Sequence, residues 1–176
     1  AGNLIAVTYT HGTGFTTDRQ VSDFIGNGTG TNIDGTGTAA SLQSAHGITR
    51  DAADNIYFTS GANVVRKITP AGVTTTIAGT AGISGYVDAV GAAARFNGLT
   101  GIVVDSFGNL FVADNGNNKI RKITPAGVVT TFAGSGNSCT DGTGTGAAFG
   151  SPYGLTIVPI TTDSNAPQNT IFVADR

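Results

Sequence analysis

The chain contains 176 residues, of which 27 are Gly and none is Met or Trp. Only 11% of the residues are charged and the formal net charge is −2 at pH 7, which excludes a charge-rich disordered tail and a coiled coil and disfavours nucleic-acid binding. The glycines follow no three-residue period, so the chain is not collagen-like, and no apolar run reaches the roughly 20 residues of a membrane span. The absence of Met predicts a processed product or a piece of a longer chain.

An internal repeat of about 54 residues dominates the sequence. The run from Val64 to Val73 recurs 55 positions later, from Lys119 to Val128, including its Thr-Pro-Ala-Gly-Val turn. Three landmarks recur in the same phase: an Asp before a Gly- and Ala-rich link, a large apolar residue that ends this link, and a Gly that opens the next apolar run. They are Asp34, Asp88 and Asp141; Leu42, Phe96 and Phe149; and Gly47, Gly101 and Gly154. A period of this size is typical of a repeat fold.

Each repeat contains four short runs rich in β-branched and aromatic residues, separated by turn signals. The best copy has these runs at 101–104, 109–113, 119–123 and 128–133, and we name them strands a, b, c and d. The segment 105–108 suits a turn between a and b, and 124–127 suits a type I turn between c and d. The pattern predicts a four-stranded antiparallel meander, with a Gly-rich link to the next sheet. We expect Phe96, at the end of one link, to fill the space between adjacent sheets.

The best copy also resembles a known repeat family. It contains Gly101-Ile102-Val103-Val104-Asp105, then Gly108-Asn109-Leu110-Phe111-Val112-Ala113-Asp114, then Asn117-Asn118-Lys119-Ile120-Arg121-Lys122-Ile123. With its Thr-Pro-Ala-Gly-Val turn and Ala-Gly-x-x-Gly link, this pattern resembles the long-period bacterial NHL repeat over residues 37–176, although Asn118-Lys119-Ile120 stands where the family name has Asn-His-Leu. The resemblance implies an all-β fold of four-stranded antiparallel blades, arranged as in six-bladed NHL propellers.

The repeat phase predicts the organisation of the chain from its N-terminus. We expect a partial blade with strands b to d and a link over 1–36, NHL blades over 37–90 and 91–143, and a partial blade with strands a and b over 144–176. Strand b is predicted at 3–7 and again at 170–175. Six blades of this period need roughly 300 residues, so we expect about three blades, open or completed by another chain.

Three explanations for this pattern stay open. The chain is an incomplete piece of a longer propeller; or a terminal strand of one copy completes the sheet of the next by strand addition, giving a head-to-tail oligomer or fibre; or a three-bladed half closes as a symmetric pair. The predicted assembly strands contain Asn3, Leu4, Ile5, Ala6, Val7, Thr170, Ile171, Phe172, Val173 and Ala174. The expected partners are other copies of the chain or another protein chain, with no nucleic acid and no membrane span.

Few residues are candidates for a chemical site. His46, Thr100 and Tyr153 precede the Gly that opens strand a, at the mouth of the channel that a propeller would have, and they are the candidate ligand residues. Some NHL-like propellers are lyases or lactonases that resemble one another in holding a metal on the channel axis. A metal site needs several converging ligands, and this chain has only two histidines, so we expect no metal and no cofactor. The other histidine, His11, aligns with a b–c loop and is expected to face water.

Other motifs are excluded or structural. Cys139 is the only cysteine, which excludes an intrachain disulfide, and the Gly-rich runs lack the Lys-Ser/Thr of a phosphate loop. No Ser lies in a Gly-x-Ser-x-Gly elbow. Asn27 begins the one N-glycosylation sequon. Hydrogen bonds to turn amides are expected for Asp51, Asp54, Asp105, Asp114 and Asp141, and solvated stems over apolar neighbours are expected for Arg66-Lys67 and Arg121-Lys122.

These features predict a scaffold that is not an enzyme and that binds partners or self-assembles head-to-tail through terminal strand pairing. Thr is about as frequent as Gly, and a low-charge, Thr-rich composition favours an extracellular or cell-surface location. The alternative is an incomplete piece of a six-bladed NHL propeller that acts as a ligand sensor or as a metal-dependent lyase or lactonase.

Overall fold

The computed structural model of the chain describes residues 4–7, 21–26, 28–158 and 170–176. These residues form thirteen β-strands and four short 3-10 turns, and they contain no helix long and apolar enough to cross a membrane. The strands are β1 (Leu4–Val7), β2 (Val21–Ile25), β3 (Gly35–Thr36), β4 (Ala45–Arg50), β5 (Ile56–Ser60), β6 (Val64–Ile68), β7 (Val73–Ala78), β8 (Leu99–Val104), β9 (Leu110–Asp114), β10 (Lys119–Ile123), β11 (Val129–Ala133), β12 (Pro152–Val158) and β13 (Thr170–Asp175). The 3-10 turns are Gly37–Ala39, Gly91–Ala93, Asn115–Asn117 and Gly144–Gly146.

The strands form four antiparallel sheets. One sheet has the order β8, β9, β10, β11, and a second has the order β4, β5, β6, β7 with β3 added beside β7. We call the β4–β7 sheet blade 1 and the β8–β11 sheet blade 2, and we call the two-stranded sheets β1–β2 and β12–β13 the N-terminal half-blade and half-blade 3. The predicted all-β fold of four-stranded antiparallel meanders is confirmed. The blade boundaries near residues 37, 91 and 144 stay a prediction.

The turns between the first two strands of each blade are built by a side-chain carboxylate. Asp51 and Asp105 each accept hydrogen bonds from the backbone N–H groups two and four residues later, at 2.8 to 2.9 Å. The turns between the last two strands end at Gly72 and Gly127, whose φ angles of 76° and 78° would strain any residue with a Cβ. The turn role predicted for Asp51 and Asp105 is therefore confirmed, because short-range hydrogen bonding decides it.

The core consists of apolar seams between neighbouring blades. Phe96 is fully buried in the seam between blades 1 and 2, where it packs with Val65, Ala78 and Leu99. Leu42 is buried in the cluster that joins the N-terminal half-blade to blade 1, and Phe149 packs against the cluster between blade 2 and half-blade 3. The predicted place of Phe96 between sheets is confirmed, since each link returns one large apolar side chain to a seam.

The N-terminal half-blade differs from the expected b-to-d order, because β1 pairs directly with β2. Leu4 lies opposite Ile25 and Ile5 opposite Asp23, with a register shift between the two pairs. The same shift separates the first two pairs of β6 with β7 and of β10 with β11, so β1 occupies the position of strand c and β2 that of strand d. The residues of β1 are all apolar, so their pattern does not distinguish strand b from strand c. This explains why the sequence pattern predicts strand b where the structure has strand c.

A repeated backbone hydrogen bond fixes β2 beside blade 1. The N–H of Gly26 donates to Gly37 O at 3.4 Å, as Gly79 N–H donates to Gly91 O at 3.1 Å and Gly134 N–H to Gly144 O at 3.2 Å. In each case the end of a fourth strand binds the 3-10 turn of the following repeat. The N-terminal half-blade is thus the outer half of a blade that precedes blade 1.

Candidate functional site

Two buried arginines tie the links to the blades. Arg66 lies in β6 and Arg121 in β10, and both side chains are fully buried. Arg66 donates to Asp34 Oδ1 at 2.9 Å, to Ile33 O at 2.8 Å and to Ser41 O at 2.6 Å. Asp34 also accepts the N–H of Thr76 from the fourth strand at 2.9 Å. The guanidinium therefore binds the incoming link to its own blade.

Arg121 has the same arrangement with one more carboxylate. It donates to Asp88 Oδ1 at 2.5 Å, to Val87 O at 3.0 Å, to Arg95 O at 3.1 Å and to Asp114 Oδ2 at 2.7 Å. Its guanidinium also lies 5.0 Å from the centre of the Tyr86 ring and 5.1 Å from that of Phe96. These partners satisfy the donors and compensate the buried charge.

The prediction that these basic pairs are solvated stems is wrong for the arginines. A buried charge needs a counter-ion, and each arginine finds one in an Asp that lies 32 or 33 residues earlier, beyond the reach of local patterns. The neighbouring lysines point to the other face, where Lys67 Nζ lies 5.7 Å from the Tyr57 ring and Lys122 Nζ 6.0 Å from the Phe111 ring. The signal that could have identified the buried pairs is the repeat itself, in which Asp and Arg recur together.

Asp114 also differs from its expected role as a turn residue. Its side chain is fully buried between Arg121 and the N–H of Asn97. Burial raises the pKa of Asp114, although the hydrogen bonds from Asn117, Asn97 and Arg121 act in the opposite direction. The carboxylate thus depends on Arg121 to remain charged inside the seam.

The predicted channel-mouth residues lie on the first strands of successive blades. His46 Nδ1 is 2.9 Å from Leu99 O, and Thr100 Oγ1 donates to Tyr153 O at 3.0 Å. The Tyr153 ring lies 4.0 Å from the guanidinium of Arg176. His46 and Thr100 therefore each bind the first strand of the next blade. Their role in ligand binding, together with that of Tyr153, stays a prediction.

Glycines bring these first strands into close contact. A Cβ on Gly47 would overlap Thr100 O, and one on Gly101 would lie 2.5 Å from Tyr153 O. Gly154 holds the same place in half-blade 3, but among the described residues a Cβ there would meet only Ala174 Cβ, at 3.6 Å. The first strand of half-blade 3 therefore has room beside it for the backbone of a further blade.

Two blade faces at the ends of the described chain are exposed, although the equivalent faces in its interior are buried between blades. Ile102 faces blade 1 and is 4% exposed, whereas Ile48, at the same place in blade 1, is 56% exposed. Phe111 faces half-blade 3 and is 5% exposed, whereas Phe172, at the same place in half-blade 3, is 57% exposed. The two exposed faces, which we call the outer faces, thus correspond to the two sides of a seam that is buried between blades in the interior of the chain.

A cavity of about 320 Å³ lies between blades 1 and 2, away from the predicted channel mouth. It is lined by Tyr57, Lys67, Ile77, Gly108, Leu110, Thr124, Pro125, Ala126 and Gly127. The hydroxyl of Tyr57 donates to Asp51 Oδ2 at 3.1 Å. Burial, this hydrogen bond and the negative charge of Asp51 raise the pKa of Tyr57 to about 12.

This shift gives a prediction for alkaline pH. Since the folded pKa lies above the ordinary value of 10.0, the stability contributed by neutral Tyr57 is complete below pH 10 and is lost as the pH rises toward 12. In a spectrophotometric titration of phenolate, wild type should show a component that ionises late, from Tyr57. Tyr57→Phe should remove this component, whereas Tyr86→Phe, the control, should leave it in place. A titration that is unchanged by Tyr57→Phe would contradict the assignment.

Several predicted residues fall outside or at the margin of the structure. Leu4–Val7 is β1, and Thr170–Ala174 lies in β13, whose outer edge pairs with no described strand. Asn3, His11 and Asn27 lie outside the described residues. Across 4–7, 21–26, 28–158 and 170–176, no group of three or more His, Cys, Asp and Glu side chains is placed to hold a metal ion.

Comparison with known proteins identifies the fold. No known family model matches the chain, and no curated protein matches it. Among solved structures, it is similar to a protein of unknown function from Bacteroides thetaiotaomicron, at 25% identity and a TM-score of 0.60 over 79% of this chain and 34% of that one. It is also similar to an auxiliary nutrient binding protein from the same organism, at 22% identity and a TM-score of 0.59 over 81% of this chain and 36% of that one. Both are β-propeller-like, and the chain spans about a third of their length.

The prediction that the chain is not an enzyme is wrong. Structures similar to it include virginiamycin B lyase from Staphylococcus aureus, at 19% identity and a TM-score of 0.46 over 66% of this chain and 32% of that one. Function depends on individual sites and not on the fold that carries them, so a fold class alone does not decide whether a chain is an enzyme.

Proposed function

We propose that the chain is an NHL-type propeller scaffold, outside the cell or at its surface, that binds other copies of itself or another protein chain. Binding takes place by strand pairing at its two incomplete blades. The observation that carries this proposal is the pair of exposed seam faces around Ile48 and Phe172, which repeat the faces buried between the blades of the chain. The repeat pattern and the propeller-like neighbours support the blade type, and the low-charge, Thr-rich composition supports the location.

The two faces are complementary because every seam repeats the same contact. The Ile48 face corresponds to the side of blade 2 that blade 1 covers, and the Phe172 face corresponds to the side of blade 2 that half-blade 3 covers. A blade laid against either face would bury apolar surface, and such burial is the dominant favourable term in protein association. Such a contact joins two different surfaces, so it propagates head-to-tail or closes into a ring.

The edges of the half-blades add main-chain pairing. Half-blade 3 has the positions of strands a and b, and β13 presents its outer edge. The N-terminal half-blade has the positions of strands c and d. A strand added to such an edge forms backbone hydrogen bonds that need no particular sequence, while the seam supplies specificity.

The oligomeric state of Gly154→Ala tests this proposal. We expect wild type to assemble with rising concentration, as measured by native mass spectrometry and light scattering. The added Cβ has room within one chain but occupies the space for a following first strand, so assembly should weaken by roughly tenfold or more while the circular dichroism spectrum is unchanged. Gly136→Ala, whose Cβ meets no atom of the described part of the chain within 4 Å, is the matched control. A wild-type chain that stays monomeric at every concentration, or a Gly154→Ala chain that assembles like wild type, would contradict the proposal.

A further inference from the structure

Half-blade 3 repeats, at equivalent positions, the hydrogen-bond acceptors that surround Arg121 in blade 2. Thr140 and Ala148 exchange two backbone hydrogen bonds, at 3.0 and 3.3 Å, as Val87 and Arg95 do at 3.1 and 3.3 Å. The carbonyl groups of Val87 and Arg95 are the ones that accept from Arg121. Two carbonyl acceptors for a guanidinium are therefore present at the same place in half-blade 3.

The two carboxylates are present as well. Asp141 follows Thr140 as Asp88 follows Val87. Asp175 ends β13 as Asp114 ends β9, and it accepts the N–H of Gly150 at 2.8 Å as Asp114 accepts that of Asn97 at 2.8 Å. Phe149 corresponds to Phe96, whose ring faces the guanidinium in blade 2. The two carboxylates, the two carbonyl groups and the Phe ring around Arg121 thus recur, whereas Cys139 stands at the place of Tyr86 and the arginine itself has no counterpart.

Asp141 lacks the partners that its counterparts have. Asp34 and Asp88 each bind an arginine from the third strand and a Thr N–H from the fourth. Among the described residues, Asp141 has no hydrogen-bond or ion-pair partner, and no third strand pairs with β13. By comparison with blade 2, the space between β13 and the link that contains Asp141 is where a third and a fourth strand would lie.

The charge of this place selects a cation. Burial pushes the pKa of Asp175 upward, but the N–H groups of Gly150 and Ser151 outweigh it and hold the pKa below its usual value, so the carboxylate is ionised at neutral pH. Two carboxylates and two carbonyl groups suit the planar fork of a guanidinium better than the point charge of an ammonium group. Arg121 in blade 2 demonstrates this fit within the same chain.

We propose that half-blade 3 is a docking site for a β-hairpin of another protein chain whose first strand carries an arginine at the position of Arg121. This inference rests on the proposed function and specifies the chemistry of the partner strand. The chain's own N-terminal half-blade fits the place less well, because the register puts Ile5 at the arginine position and Asp23 opposite it. A second copy bound through β1 would leave Asp141 and Asp175 without a counter-ion.

A peptide of residues 117–136 is the probe, since it contains the third and fourth strands of blade 2 with Arg121 in place. We expect it to bind the full chain in isothermal titration calorimetry. The same peptide with citrulline at position 121 keeps the shape and loses the charge, and it should bind at least tenfold more weakly. Asp141→Asn in the chain should weaken binding of the arginine peptide by a similar factor and leave binding of the citrulline peptide unchanged. Asp54→Asn, on an exposed turn of blade 1, is the control substitution and should change neither.

The outcomes separate this inference from the proposed function. Equal affinity for the arginine and citrulline peptides would overturn the arginine site while leaving strand pairing intact. Tighter binding of a peptide of residues 1–26 would overturn it in favour of a second copy, and the proposed function would stand. A chain that binds none of the three peptides and also stays monomeric would overturn both.

Discussion

Arg121→Met should lower the free energy of unfolding by about 3 to 5 kcal/mol, because it leaves the fully buried carboxylate of Asp114 without its counter-ion. The link through Asp88 also loses its bond to the third strand. For a chain of this size, Tm falls by about 2 to 4 °C per kcal/mol. Chemical denaturation and differential scanning calorimetry measure both quantities.

The matched control is Arg50→Met, which removes an exposed ion pair with Asp54. Exposed pairs contribute little, so we expect a loss of at most about 1 kcal/mol. The loss caused by Arg121→Met should also shrink as the pH falls, since burial raises the pKa of Asp114 and a protonated Asp114 needs no counter-ion. Equal losses for the two variants, or a loss for Arg121→Met that does not depend on pH, would contradict the role assigned to Arg121.

Arg66→Met offers a graded comparison within the same repeat. Arg66 faces one carboxylate, Asp34, which is partly exposed, and Ser60 stands at the place of Asp114. Removal of Arg66 therefore leaves no fully buried charge. We expect its loss of stability to lie between those of Arg50→Met and Arg121→Met, measured by the same denaturation experiment. A larger loss for Arg66→Met than for Arg121→Met would show that the carbonyl contacts outweigh the carboxylates.

The local features of this fold were accessible from sequence. The turns at Asp51 and Asp105 and the Gly-closed turns after Thr-Pro-Ala depend on contacts within five residues, so the pattern alone predicts them. The place of Phe96 is predictable because one large apolar residue per link has only the seams in which to be buried. Regular repetition made the four-stranded blade predictable in the same way.

The non-local features were not accessible. Arg66 and Arg121 look like surface residues on an alternating strand until their distant Asp partners are known. The channel-mouth residues His46 and Thr100 find hydrogen-bond partners 53 positions away, in another blade, which no local pattern encodes. The candidate arginine site depends on the same kind of comparison, because the repeat aligns Asp141 with Asp88 but only the structure shows that Asp175 occupies the place of Asp114.

Gly101→Ala should destabilise the chain by about 1 to 3 kcal/mol, because the new Cβ would lie 2.5 Å from Tyr153 O and 3.0 Å from Leu155 N. These are backbone atoms of β12, so relief of the clash requires the first strands of blade 2 and half-blade 3 to separate. The seam around Phe111 and Phe149 would open with them. Urea denaturation measures the loss, and hydrogen exchange in β12 should increase.

Gly154→Ala is the matched control and should have the opposite sign in the isolated chain. Within the described residues its Cβ makes one ordinary contact, with Ala174, and Ala restricts the unfolded chain more than Gly does, which stabilises a protein by about 0.4 to 1 kcal/mol where the backbone allows it. The two substitutions are chemically identical and occupy the same position of the repeat, so their difference measures the presence of a neighbouring blade. Gly154→Ala would destabilise an assembled protein as strongly as Gly101→Ala destabilises a single chain only if another blade lies against β12 in the assembly. Equal effects of both substitutions in monomeric protein would instead show that close contact between first strands is not what requires glycine here.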